Sequence, residues 1–326
     1  MSNDHYFPQT YLKKWYPKRT EMHFVLDKKT DRLGAKSSKR ICSSIDNSYN
    51  KYLTPERLVE NLIVPMENRL SNVISKIDNG SFISEGDRQV LTDFFIYTQF
   101  YSPAGMRLEV ARRIALFCET FFYNQLPGNP DAIGESCPDG QFIPIDSLEL
   151  TRNLSQNNHP LATEETKKFL QAEATKNFHQ WRNGIRRENW IVLRQTGKNK
   201  FITSDHPHVL VIGKDSAGYL TPISPVSAII RLLEKPDNNN HGSISYKLAP
   251  AEQSHTSYIN EKIARAAERF VVSNSNHSLM KIRDHAKGFR TALCLRHGMQ
   301  NFEYFQVSTN KKEYDFGGYL VFGEAR

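Results

Sequence analysis

The hydrophobic pattern of the chain changes its period near the middle, and this change limits the fold more than any other feature. Across residues 54–184, apolar side chains recur every three or four positions, which is the spacing of amphipathic helices. From residue 189 onwards the apolar residues stand in short runs, such as 190–193 and 228–232, which are typical of strands. Helices followed by strands, without β–α–β alternation, predict an α+β fold.

We therefore expect one α+β domain over residues 1–326, with a helix-rich part at 54–184 and a strand-rich part at 189–326. A helical layer from the N-terminal half should pack on a mainly antiparallel sheet from the C-terminal half. Pro65 should kink the first long helix or divide it in two, because proline lacks an amide donor and crowds the preceding turn. The predicted helices are 54–78, 84–101, 102–126, 163–183, 260–270 and 279–286. The predicted strands are 22–26, 190–193, 201–203, 209–212, 219–220, 228–232, 244–246, 304–307 and 319–321, and 127–144 reads as a loop.

Composition excludes several classes of protein. The chain is 39% hydrophobic, which is enough to build a core and excludes global disorder. It contains no run of about 18 apolar residues and no apolar stretch at its start, so we expect a soluble, cytoplasmic protein without a membrane partner. The four cysteines lie far apart, which favours free thiols over a zinc site. The net charge of +8 is compatible with a nucleic-acid partner, and equally with an ordinary solvated surface.

The common phosphate-loop, dinucleotide, zincin and hydrolase motifs do not occur in the sequence, so candidate site residues are polar residues in apolar surroundings. Glu67 and Arg107 each fall on an apolar helical stripe, and Gln99 follows an aromatic helical turn. A charge on a buried stripe costs several kcal/mol unless it is paired. Glu67 and Arg107 could therefore pair and fix two helices, or Glu67 could be a metal ligand or general base in a pocket.

Two further groups combine carboxylate and imidazole side chains. Asp205 follows the strand at 201–203, His206 and His208 stand close to it in the sequence, and Pro207 makes the residue before it extended. This carboxylate could serve metal or proton chemistry, or it could close an Asx-turn with nearby backbone or side-chain donors. At the N-terminus, His5 and Gln9 stand within a dense aromatic cluster, which could anchor the fold or hold His5 near the carboxylates as a base or ligand.

At these positions the chain resembles a bacterial family known as domain of unknown function 4238. The family's opening motif, His-Tyr-x-Pro-Gln followed by Tyr-Leu, is matched at 5–9 and 11–12, and its Thr-Ser-Asp-x-Pro motif at 203–207. A Pro-x-Ser-Pro turn at 222–225 and a C-terminal helix at 260–270 are also similar, so the resemblance runs from His5 to Phe270. Tyr101 stands where the pattern leads us to expect arginine.

This resemblance implies that a scattered set of polar residues belongs to one recurring pattern: His5, Gln9, Glu67, Gln99 and Asp205. Such a set predicts a site assembled in space. The leading hypothesis is a hydrolase, namely a metal-assisted nuclease or phosphodiesterase that acts on nucleic acid. Asp205 and Glu67 would bind Mg²⁺ or Mn²⁺, His5 would be a ligand or general base, and Gln9, Gln99 and Arg107 would bind substrate. The alternative is a non-catalytic binding or sensing module of a bacterial defence or toxin system.

Overall fold

The computed structural model describes residues 7–17, 20–42, 58–100, 102, 142–145, 163–212, 217–233, 246–287, 289–296, 302–308 and 314–315. Its α-helices are α1 (Gln9–Leu12), α2 (Ser38–Cys42), α3 (Leu58–Asp78), α4 (Glu85–Phe100), α5 (Glu164–Arg187), α6 (Gln253–Ala266) and α7 (Asn276–Ala286). The early strands are β1 (His23–Asp27), β2 (Arg32–Lys36), β3 (Phe142–Ile145), β4 (Asn189–Gln195), β5 (Thr203–Ser204), β6 (Val209–Ile212) and β7 (Ala217–Pro222). The later strands are β8 (Ser227–Leu232), β9 (Tyr246–Ala251), β10 (Phe270–Ser273), β11 (Phe289–Arg296), β12 (Phe302–Ser308) and β13 (Tyr314–Asp315).

The strands form three sheets within the described residues. Their orders are β6-β7-β8-β4-β9, β2-β1-β10-β5 and β13-β12-β11-β3. The pairs are antiparallel except for β4 with β9, which run parallel. Long helices thus lie in the N-terminal half and antiparallel strands in the C-terminal half, which confirms the predicted α+β class.

Local sequence explains where the helices begin. Ser84 Oγ accepts a hydrogen bond from the Asp87 amide at 3.2 Å, and the Asp87 carboxylate accepts one from the Ser84 amide at 2.9 Å. This reciprocal pair satisfies two amides that would otherwise lack partners at the start of α4. Thr163 caps α5 in the same way, since its hydroxyl accepts from the Thr166 amide at 3.2 Å. The predicted helix starts at Ser84 and Thr163 are therefore confirmed.

Two buried clusters make up the core of the described residues. The first joins the helices to α1, and its aromatic members include Tyr11, Trp15, Phe94, Phe95 and Trp190. The second lies between the sheets and helices α6 and α7. None of the helices in the described part of the chain is both long and apolar enough to cross a membrane.

Several sequence predictions differ from the structure. Helix α3 runs from Leu58 to Asp78 with Pro65 inside it, so the helix does not divide at the proline, and the alternative of a kink there stays a prediction. The C-terminal helix was expected at 260–270, but α6 ends at Ala266 and Phe270 begins β10. The strand at 201–203 was expected to return against 190–193, whereas Thr203 pairs with Val272 of β10. Within the predicted loop 127–144 the structure describes β3.

Part of the predicted secondary structure cannot be compared with the structure. Residues 103–126 of the third predicted helix and the last predicted strand, 319–321, lie outside the described residues. The predicted strand at 304–307 is confirmed within β12.

Candidate functional site

The short helix α1 joins the N-terminal motif to the Thr-Ser-Asp motif. Tyr11 Oη donates a hydrogen bond to the carbonyl of Pro222 at 2.6 Å, so the Thr203 hydroxyl, 2.5 Å away, must donate to Tyr11. Burial raises the pKa of the Tyr11 phenol above its ordinary value, which keeps this donor protonated. Trp15 Nε1 donates to the carbonyl of Phe201 at 3.0 Å. Three regions that are distant in sequence, at 11–15, 201–203 and 222, therefore meet at one point in the core.

Glu67 holds the start of α1. Its Oε1 accepts a hydrogen bond from the Gln9 amide at 3.0 Å, and this amide is the first of the helix. A carboxylate at a helix N-terminus satisfies an amide and interacts favourably with the helix dipole. Glu67 is half-buried, and its charge, after burial, helps to raise the pKa of the Cys42 thiol above its ordinary value. The structure therefore brings Glu67 and Gln9 into contact through the backbone amide of Gln9.

The Asp205 carboxylate accepts hydrogen bonds from a chain reversal at residues 268–270, far away in the sequence. Its carboxylate accepts amide hydrogen bonds from Glu268, Arg269 and Phe270 at 2.9, 2.8 and 3.0 Å, and the residue is only 2% exposed. Burial raises the pKa of the Asp205 carboxyl to about 6, while these amides and Lys28 oppose the rise. The carboxyl is therefore ionised at neutral pH, and it joins β5 to the turn before β10.

The local turn at Asp205 is closed by a different residue from the one expected. The His206 amide donates to Ser204 Oγ at 3.2 Å. The hydroxyl of Ser204 thus takes the role that the Asx-turn interpretation gave to Asp205. Neither interpretation made from the sequence anticipated that the Asp205 carboxylate would reach residues 268–270.

The structure describes some of the remaining predicted site residues and not others. His5 and Arg107 lie outside the described residues, so the predicted Glu67–Arg107 pair has no description in the structure. Among the residues that are described, no group of three or more His, Cys, Asp or Glu side chains is arranged to hold a metal ion. A metal role for Glu67 and Asp205 stays a prediction. The structure describes Gln99, which belongs to a cluster of buried polar residues that the sequence analysis did not identify.

This cluster, here called the buried polar centre, consists of four residues: Gln99, His206, His208 and Arg231. They are 7%, 3%, 4% and 1% exposed. Arg231 Nη2 donates to Gln99 Oε1 at 2.5 Å, and Nη1 donates to Glu188 Oε2 at 3.2 Å. The guanidinium also lies over two aromatic rings, 5.0 Å from the centroid of Phe95 and 5.4 Å from that of Tyr219. Its charge is therefore held by one acid, one amide and two ring faces.

Hydrogen bonds determine the protonation state of His208. Thr98 Oγ1 donates to the carbonyl of Phe94, so it must accept from His208 Nε2 at 2.7 Å. His208 Nδ1 then accepts from the Thr221 hydroxyl, also at 2.7 Å. Burial, with smaller contributions from His206 and Arg231, lowers the pKa of His208 well below its ordinary value. His208 is therefore a neutral imidazole with its proton on Nε2.

His206 extends the buried polar centre towards the end of α4. Its ring centroid lies 5.9 Å from that of His208, and Nδ1 is 3.2 Å from Ser102 Oγ. Within the described part of the chain, Arg231 Nε is buried and has no hydrogen-bond partner. The centre therefore combines a buried guanidinium with two imidazoles. The Arg231 Nε–H group is a donor without a partner among the described residues.

The sequence did contain a signal for Arg231. It stands inside the apolar run at 228–232, where a charged residue must be paired or functional. That run was interpreted as a strand, and its one charge was not used. His206 and His208 were noted beside Asp205, but their partners Thr98, Ser102 and Thr221 come from other elements, and sequence spacing does not predict such contacts.

Comparison with known proteins gives one match. No curated protein and no solved structure matched this chain. The model of the family described as Protein of unknown function (DUF4238) matches residues 3–277, which include Glu67, Asp205 and the whole buried polar centre. Since the match covers most of the 326 residues, the chain belongs to this family of unknown function.

Proposed function

We propose that this protein is a binding or sensing module and that its buried polar centre holds a small anionic ligand. The observation that supports this most is the state of Arg231, a cation that is 1% exposed and has a buried Nε without a hydrogen-bond partner within the described residues. A guanidinium has five N–H donors in a rigid fork, which suits carboxylate and phosphate groups. Glu188 and Gln99 each accept one of these hydrogens.

The neighbours of Arg231 suit an anion as well. Ser102 brings a hydroxyl group that lies 3.2 Å from His206 Nδ1, whereas Thr98 and Thr221 already donate their hydroxyl hydrogens to the Phe94 carbonyl and to His208. His208 is neutral and its N–H donates to Thr98, so this imidazole adds no second buried charge beside the guanidinium. A ligand with one or two negative charges would compensate the guanidinium more fully than Glu188 does, because the Glu188 side chain is 16% exposed and its charge is partly screened.

Burial limits the size of the ligand. The four residues of the centre are between 1% and 7% exposed, so the backbone of a nucleic-acid duplex could not reach them without a large rearrangement. A free phosphate, a small carboxylate or the terminal phosphate of a nucleotide would fit this description better. The proposal therefore favours a small molecule over a polymer.

The test is calorimetric titration of the purified protein with inorganic phosphate, sulfate and adenosine monophosphate. We expect saturable binding of at least one probe, and a loss of about tenfold or more in affinity when Arg231→Lys removes the fork. Gln99→Glu, which is nearly isosteric, should also prevent binding because it places a carboxylate against Nη2. Arg283→Lys is the matched control, since Arg283 forms a similar two-nitrogen pair with Asp31 on the surface.

Two outcomes would contradict the proposal. One is the absence of saturable binding for all three probes. The other is binding that Arg231→Lys and Gln99→Glu leave as strong as in the Arg283→Lys control. Circular dichroism of each variant shows whether the fold is kept, and Gln99→Glu provides the test should Arg231→Lys fail to fold.

A second candidate is the metal-assisted hydrolase that acts on nucleic acid. One observation favours it: the half-buried Glu67 binds the amide of Gln9, which stands four residues after His5 in the sequence. An ion held there by Glu67 would activate water, and the net charge of +8 would attract the substrate. Asp205 fits this candidate less well, because three amides already bind its carboxylate.

Cleavage assays with Mg²⁺ or Mn²⁺ test this second candidate. Single-stranded and double-stranded DNA and RNA should be degraded by the unmodified protein and left intact by Glu67→Gln. Activity that is equal in Glu67→Gln, or its absence in the unmodified protein with either metal, would reject the hydrolase.

A further inference from the structure

A groove of about 500 Å³ lies between α6 and α7, and it shares no lining residue with the buried polar centre. The residues that line it include Asn199, Ser257, Glu261, Ser278, Lys281 and His285, and apolar atoms make up more of the lining surface than polar atoms do. Pockets for small molecules have volumes of roughly 300–1,000 Å³. The groove is therefore large enough for a ligand the size of a sugar or a nucleoside, and its walls offer polar groups beside apolar surface.

The charges in the groove are unevenly compensated. Glu261 is paired with Arg265 at 2.7 Å and lies 3.6 Å from His285 Nδ1. Lys281 is exposed, and among the described residues it forms no ion pair or hydrogen bond. An ammonium without an acid beside it attracts an anionic group. One side of the groove thus favours a negative charge, while the serine hydroxyls and the Glu261 carboxylate can bind hydroxyl groups.

One wall of the groove is held in place by a buried side chain. Asn260 Oδ1 accepts from the Ile202 amide at 3.0 Å, and its Nδ2 donates to the carbonyl of Lys200 at 2.8 Å. These bonds fix the loop that carries Asn199 against α6, and Asn199 Nδ2 in turn donates to Ser257 Oγ at 3.0 Å. A wall that is already ordered loses little conformational entropy when a ligand binds.

We propose that this groove binds a small polyhydroxylated ligand with one anionic group, of the class of sugar phosphates. Lys281 binds the anionic group. The hydroxyl groups of the ligand bind to Glu261, Ser257 and Ser278. Its carbon skeleton contacts the ring of Tyr258 and the apolar side chain of Ile282. This site shares no residue with the buried polar centre, so the proposal for one site can be rejected while the proposal for the other stands.

The experiment is calorimetric titration with glucose 6-phosphate, glucose and inorganic phosphate, carried out on the Arg231→Lys background as well as on the unmodified protein. We expect glucose 6-phosphate to bind best in both backgrounds, and Lys281→Gln to weaken it by about tenfold or more. Lys287→Gln is the matched control, because Lys287 follows the same helix but faces Asp31 at 3.7 Å. Ser278→Leu, which fills the groove without changing its charge, should also weaken binding.

Three results would overturn the inference. The first is the absence of saturable binding of glucose 6-phosphate. The second is an affinity that Lys281→Gln and Lys287→Gln change equally. The third is inorganic phosphate binding as tightly as glucose 6-phosphate, since the hydroxyl groups would then contribute nothing.

Discussion

Lys28 and Asp205 bind opposite sides of the same chain reversal. Lys28 Nζ donates to the carbonyls of Ala264 and Arg265, in the last turn of α6, and of Ala267, just after it, at 2.9, 3.0 and 2.6 Å. Asp205 accepts from the three amides that follow, at residues 268–270. A cation is stabilised by the partial negative charge of the carbonyls at the C-terminal end of a helix. An anion is stabilised by the N–H groups of the amides beyond it. This pair explains why the Thr-Ser-Asp motif and the segment at 267–270 occur together in one chain.

The first prediction concerns this clamp. Asp205→Asn should lower the free energy of unfolding by about 1–3 kcal/mol, because the NH₂ group of asparagine cannot accept the backbone hydrogen bonds that the second carboxylate oxygen accepts. Urea denaturation followed by circular dichroism measures the change. Asp31→Asn is the control, since Asp31 forms an exposed pair with Arg283 and should have little effect. Equal stability of the two variants would show that Asp205 is not the structural residue described here.

A second prediction concerns the contact between α1 and the sheet. Tyr11→Phe should destabilise the protein by about 1–3 kcal/mol, because it leaves the Thr203 hydroxyl and the Pro222 carbonyl buried without their partner. Tyr16→Phe is the control, since it removes one bond, to Ser38 Oγ, at a half-buried position. A loss at Tyr11 no larger than that at Tyr16, by the same denaturation measurement, would contradict this account.

A third prediction uses the close approach of β7 to β8. A Cβ added at Gly218 would lie 2.6 Å from the carbonyl oxygen of Arg231 and 3.0 Å from Ile230 Cγ2. Gly218→Ala should therefore force the strands apart, cost about 1–3 kcal/mol and displace Arg231 from Gln99. Gly34→Ala is the control, because a Cβ there meets no atom within 4 Å. Thermal unfolding of both variants checks the result, and a Gly218→Ala protein as stable as the Gly34→Ala protein would refute the prediction.

The fourth prediction is a pH dependence. His208 and His23 have pKa values below the ordinary one, well below for His208 and about 4 for His23, mainly because both are buried. In the pH range from about 6.5 down to 4 the unfolded chain binds protons at these residues that the folded chain does not. Stability is therefore fully present above pH 6.5 and falls as the pH decreases. The raised pKa of Asp205 acts in the opposite direction between pH 6 and 4.

Comparison with a variant isolates the contribution of His208. The unmodified protein should lose up to about 1.4 kcal/mol more per pH unit below pH 6 than His208→Asn does, since that variant lacks one titrating imidazole. Urea denaturation at pH 7.5, 6.5 and 5.5 supplies the slopes. Parallel slopes for the two proteins would mean that His208 is protonated in the folded state.

Sequence reasoning predicted the elements better than their contacts. The helix starts at Ser84 and Thr163 follow from capping residues next to the helix, so the sequence identifies them directly. The start of α6, which lies at Gln253, was misplaced because Asn260, taken as an N-cap, instead bonds to the backbone at 200 and 202, which no local pattern reveals. Phe270 was assigned to the helix face because strand and helix residues are equally apolar there.

The candidate site shows the same difference between residues that local sequence identifies and contacts that it does not. Glu67, Gln99 and Asp205 were identified as polar residues in costly positions, and each proves to have a specific partner. The partners themselves are backbone amides or residues more than fifty positions away, and the sequence gives no direct signal for such pairs. Arg231 was missed because its surrounding run was interpreted only for strand character.

The most direct measurement of the central claim is the NMR signal of the Arg231 Nε–H group. A buried donor of this kind exchanges slowly with water, and Arg231→Lys identifies its resonance by removing it. We predict that inorganic phosphate or adenosine monophosphate shifts this resonance in a saturable way that follows the calorimetric affinity. An Arg231 resonance that stays unchanged while either probe saturates the protein, or at all probe concentrations, would contradict an anion site at the buried polar centre.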